Sequence, residues 1–127
     1  MDLTPLIPAG RQIVESYGGG RFRVSGQVFE GSILVLADRT TPWPVADIAS
    51  MTPESLAPIA EAARAGAIDL LLVGCGPRMA PLPAGLRQAF RELGVVMEPM
   101  DTGAACRTYN VLMAEGRRVA AALIAIS

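Results

Sequence analysis

The sequence contains no histidine and no lysine; its eleven basic residues are all arginine. Without histidine there is no Ser-His-Asp or Cys-His pair, no imidazole base and no histidine metal ligand. Without lysine there is no Schiff base and no phosphate-holding lysine of a P-loop. Any chemistry would have to run on Asp, Glu, Cys, Tyr, Ser, Thr and Arg. Cysteine is scarce too. Cys75 and Cys106 have no metal-ligand spacing. Two thiols in a chain without a signal peptide read as reduced, which implies a cytoplasmic location. Long apolar runs are also missing. The longest, Val119 to Ile126, has eight residues, against about 20 for a membrane span. Met1 to Gly10 lacks the basic and apolar regions of a secretory signal. The expectation is a soluble protein with no direct membrane insertion. A basic excess is absent as well, since the net charge is −1. That removes nucleic acid as a partner.

What is present is a chain of 127 residues that is 51% apolar and 18% charged. Such a composition excludes disorder, and the length suits one domain, 1–127. Residues 1–20, ending in Tyr17-Gly18-Gly19-Gly20, read as a flexible lead-in to a compact core over 21–126. Arg21 to Val24 and Gln27 to Glu30 alternate around Ser25-Gly26, which predicts a β-hairpin. Ile33 to Leu36 reads as a buried strand, and Asp38 to Asp47 mainly as loop. A helix is expected near 55–65, with Leu56, Ile59, Ala60 and Ala63 on one face, Ser55 as N-cap and Gly66 as stop. Asp69 to Val73 follows as a second buried strand. Pro83 is read as opening a helix that Gly94 ends, and Val95 to Glu98 as a third strand. Asp101 or Thr102 caps a helix that Gly116 ends, and Val119 to Ile126 closes the fold. Strands alternating with helices predict an α/β sheet with crossovers, plus an N-terminal antiparallel hairpin.

Three places could carry chemistry. Gly74, Gly76 and Arg78 follow a buried strand, and open α/β sheets bind ligands beyond the carboxyl ends of their strands. The glycines let a backbone approach closely, and Arg78 suits a carboxylate or phosphate. The dinucleotide fingerprint is incomplete, because Met79 stands where a glycine belongs. The second place is the helix start at Asp101 and Thr102, with Arg107 and Asn110 one turn apart on the same face. The third is Cys106, one turn into that helix, where the dipole and Arg107 would favour a thiolate. No histidine can serve as its base, and burial as a small apolar residue is the plainer reading. A Cys75–Cys106 redox pair stays open. No cofactor and no metal are implied. Trp43, in Thr41-Pro42-Trp43-Pro44, either anchors an interface or lids the sheet.

Five segments also carry a resemblance. They are Gly19 to Gly26, Gly31 to Leu36, Leu71 to Gly76, Ala105 to Leu112, and Glu115 to Ile124. In this order and spacing they resemble the small α/β domain family that includes mitochondrial complex I assembly factor 3 and a structurally known methanogen protein. The resemblance runs over about residues 12–126. It implies a single three-layer α/β domain with a mixed sheet and an added hairpin. The mitochondrial relative is similar in Ala105 to Asn110 and in Glu115 to Arg117. It implies a non-enzymatic interaction protein with a protein partner, serving respiratory or other membrane-complex assembly. The residues themselves leave a second expectation open. That is a domain, binding module or enzyme, for a small anionic ligand, held between the 74–78 loop and the 101–110 helix start. Its pocket would use Gly74, Gly76, Arg78, Asp101, Thr102, Cys106, Arg107 and Asn110.

Overall fold

In a computed structural model, residues 10–127 are described. The fold is organised by three apolar runs that are buried on both faces. These are β4 (Ile33–Val35), β6 (Leu70–Gly74) and β8 (Val119–Leu123). Side chains alternate across a strand. Leu34, Leu71, Val73, Ala120 and Ala122 therefore enter one hydrophobic cluster, while Ile33, Val35, Leu72, Ala121 and Leu123 enter another. Both faces of such a sheet need cover, which is why the runs are continuous rather than alternating. With β5 (Thr40–Pro42) and β7 (Val96–Met100), the strands form one mixed sheet in the order β5-β4-β8-β6-β7. Strand β6 runs parallel to β7 and β8; β4 is antiparallel to β5 and β8.

One face is covered by α1 (Ala57–Arg64), α2 (Leu86–Arg91) and the segment holding Trp43, Val45 and Met51. The other is covered by α3 (Thr102–Ala114) and a second, three-stranded antiparallel sheet. That small sheet is β1 (Val14–Gly18), β2 (Arg21–Val24) and β3 (Gln27–Glu30), in that order. The result is the three-layer α/β arrangement with an added N-terminal hairpin. Ser25 and Gly26 both take positive φ (45° and 84°), so β2 and β3 meet through the tight turn the sequence predicts.

Several local expectations change. Residues 14–18 are not part of a lead-in but strand β1; the first nine residues of that lead-in lie outside the described residues. Gly19 and Gly20 adopt φ of 63° and 77° and form a two-residue turn between β1 and β2. The glycine run supplies turn geometry here, because β2 is adjacent to receive the strand. Thr40–Pro42, read as loop, is the short edge strand β5, whose polar residues hide the pattern. Helix α1 starts two residues after Ser55, with Pro58 in its first turn. Ser55 instead exchanges hydrogen bonds with Thr52, each hydroxyl accepting the other's backbone N–H at 3.1 Å. Helix α2 starts at Leu86, three residues after Pro83, behind Gly85 at φ 80°.

Helices α1, α2 and α3 end alike. Gly66, Gly94 and Gly116 are left-handed, and the residue after each returns its N–H to a carbonyl five residues back. This is the Schellman termination, and it places the stops where the sequence predicts them.

Candidate functional site

The 74–78 loop and the start of α3 do come together, but they close on each other. Thr102 is fully buried. Its N–H bonds to the Gly76 carbonyl at 2.8 Å, and its hydroxyl accepts the Gly76 N–H at 2.9 Å. The same hydroxyl donates to the Ile124 carbonyl at 2.7 Å. One threonine thus ties β6, α3 and the end of β8. A Cβ at Gly74 would stand 3.0 Å from Thr102 Cα and from Leu123 Cδ2. The glycine serves chain-to-chain contact. Asp101 caps α3, its carboxylate accepting the Ala104 N–H at 2.9 Å. Arg78 is exposed on the loop.

Further along α3, the polar residues turn to the small sheet. Asn110 accepts the Val14 N–H through Oδ1 at 2.9 Å and donates Nδ2 to the Val14 carbonyl at 2.7 Å. Tyr109 is buried and donates its hydroxyl to the Gln12 carbonyl at 3.0 Å. Both side chains thereby fasten the N-terminal strand to α3. Cys106 is buried beside them. Burial pushes its thiol up to about 12, against the opposing pull of Arg107, so it is a protonated core residue at neutral pH. Cys75 belongs to the cluster on the other face of the sheet, so the two thiols are separated by the sheet and form no pair. Trp43 is also core: it is 3% exposed, and its Nε1 donates to the Ser55 carbonyl at 2.9 Å. The flanking prolines make the segment look exposed in sequence, but the ring lids the sheet.

Arg107 is different, because it points outward. Its guanidinium donates to the Tyr17 hydroxyl at 3.0 Å. The phenol lies over the first turn of α3, where a Cβ on Gly103 would stand 2.5 Å from its oxygen. Gly103, Arg107 and Val111 follow at four-residue spacing, and Val111 is 57% exposed. Tyr17, Arg107 and Val111 therefore line the outer side of α3. Sequence reading misses Tyr17, because its place over α3 depends on a partner 90 residues away in the chain, and no local signal marks it.

The family model described as a protein of unknown function (DUF498/DUF598) matches residues 14–124, from the first strand to the end of the last. The chain belongs to this family. An uncharacterized protein of Rhodobacter capsulatus is 45% identical over 117 residues, 91% of this chain and 86% of that protein. Human NADH dehydrogenase [ubiquinone] 1 alpha subcomplex assembly factor 3 is 32% identical over 117 residues, 87% of this chain and 59% of that protein. The chain thus spans under two thirds of the assembly factor's length. Among solved structures, a Bartonella henselae protein described as an outer membrane protein has a TM-score of 0.86 and 35% identity. That match covers 93% of this chain and 98% of the other. A Bordetella pertussis protein described as a Mth938-like domain has a TM-score of 0.82 and 33% identity, over 98% of this chain and 92% of the other. In this DUF498/DUF598 domain no described helix is long and apolar enough to cross a membrane. Thr102, Tyr109 and Asn110 of its α3 are spent on internal bonds, while Arg107 and Val111 face outward.

Proposed function

We propose that this chain is a non-catalytic interaction protein that assists assembly of a respiratory or other membrane-associated complex. In this reading it works from the cytoplasmic side and binds a protein partner. The observation that carries it is the 32% identity, across 87% of the chain, to a protein named as an NADH dehydrogenase assembly factor. The site geometry supports it. Thr102, Cys106, Tyr109 and Asn110 are turned inward, while Tyr17, Arg107 and Val111 offer an aromatic, a guanidinium and an apolar group on one helix face. Tyrosine and arginine dominate binding energy at protein contacts.

The test is affinity purification of the tagged protein from its host after mild cross-linking, beside an Arg107→Glu/Val111→Asp variant. Both positions are exposed, so the variant is expected to stay folded, losing only the Arg107–Tyr17 bond. NADH dehydrogenase subunits or membrane-insertion proteins should accompany the wild type and be lost with the variant. Equal recovery from both would remove this surface from the reading. Normal complex assembly on native gels in a deletion strain would remove the assembly role itself.

A further inference from the structure

The sheet end opposite the 74–78 loop is open. A cleft of about 590 Å3 lies there, at the amino ends of β6 and β8. Three chain reversals frame it: the turn after β4, where Leu36 N–H meets the Arg39 carbonyl, and the C-termini of α1 and α3. Its floor is apolar, from the buried Leu36, Ile68, Met113 and Val119. Four exposed arginines, Arg11, Arg39, Arg117 and Arg118, also line it.

Two carboxylates also line the cleft, Asp38 and Glu61. Asp38 pairs with Arg39 at 3.6 Å, and Arg118 is held by Asp69 at 3.0 Å, just outside the lining. Four arginines against three carboxylates leave one positive charge in surplus, in a chain whose net charge is −1. The negative ends of α1 and α3 would favour a cation here. Their carbonyls are already engaged, however. Ala62 and Leu112 accept the backbone N–H groups of Ala67 and Arg117, and Gly66 accepts Arg118 Nη1 at 3.1 Å. Arg117 makes no ion pair among the described residues.

We infer that this cleft binds a small amphipathic anion, with a carboxylate at Arg39 and Arg117 and an apolar chain on the floor. Its volume falls in the usual range for small-molecule sites, about 300–1,000 Å3. A guanidinium is the side chain best matched to a carboxylate. The site stands apart from the assembly reading, since it shares no residue with the Tyr17, Arg107 and Val111 face.

The experiment is an NMR titration of the isotope-labelled protein with sodium decanoate below its micelle concentration, and in parallel with decyltrimethylammonium. Decanoate should produce saturable shifts at the amides of 36–39, 65–68 and 113–119, and the cation of equal chain length should not. Arg39→Ala/Arg117→Ala should weaken decanoate binding about tenfold or more, as loss of a charge-assisted contact predicts. Ala65→Trp, at the exposed end of α1, should block it by filling the cleft. Equal responses to the two probes, unsaturable shifts, shifts centred elsewhere, or affinities unchanged in both variants would each overturn the proposal. So would the absence of any response to decanoate.

Discussion

Cys106 shows how one side chain can look reactive in sequence and be inert in the fold. A cysteine one helical turn from an N-terminus, next to an arginine, has the neighbours that favour a thiolate. Desolvation outweighs them, because Cys106 lies in one buried cluster with Ala105, Tyr109 and Met113. The linkage has a definite sign. Below the ordinary value of 9.0 the thiol is protonated in both folded and unfolded chains, and its contribution to stability is constant. From 9 to about 12 only the unfolded thiol ionises, so stability falls as pH rises, by at most about 1.4 kcal/mol per pH unit. Denaturant unfolding across that range should show a shallower decline for Cys106→Ala than for the wild type. Tyr109, also pushed up by burial, acts in the same direction in both proteins and drops out of the comparison. Identical slopes would mean that the thiol is hydrated in the native state.

At the scale of elements, the small sheet depends on α3. Asn110 behaves toward Val14 as a neighbouring strand would, accepting one hydrogen bond and donating another. Asn110→Ala should therefore cost about 2–3 kcal/mol, since it leaves two backbone groups unpaired. Amide exchange should accelerate at Val14 and along β1 while β6 and β8 stay protected. Unchanged protection at β1 would show that packing, not this staple, holds the strand. Elements also explain why the sheet ends where it does. Val96 N–H and Met100 C=O point to β6, so Met97 and Pro99 face the free edge. The Met97 carbonyl there accepts Arg87 at 2.7 Å, and Pro99 has no N–H to offer. The edge of β7 is thus blunted against a further strand. Helix stops and the β2–β3 turn were legible because their signals are local: a glycine after an apolar stripe, or Ser-Gly between alternating runs. β1 and β5 were not, because short polar strands are specified by distant partners. Val14 answers to Asn110, and Thr40 pairs with Val35 at the sheet edge.

For the whole molecule, the central strand β8 serves both cores. Ala120 and Ala122, with Ile124 just beyond the strand, enter one, and Val119, Ala121 and Leu123 the other. The two cores should therefore melt together. Trp43 fluorescence reports one side and the Tyr109 ring resonances the other, and their thermal midpoints should coincide. Separate midpoints would mean that α3 with the small sheet is an independent folding unit. The amino-acid sequence by itself determined the α/β class, the buried strands, the helix ends and the exclusion of histidine and lysine chemistry, because composition and short-range periodicity carry that information. Only the tertiary structure decided what the polar residues do. It turned Thr102, Asn110 and Trp43 inward, bonded the 74–78 loop to the start of α3 and opened a cleft at the other end of the sheet. Those outcomes depend on which backbone groups need partners once layers have packed, and residues far apart in the chain supply them.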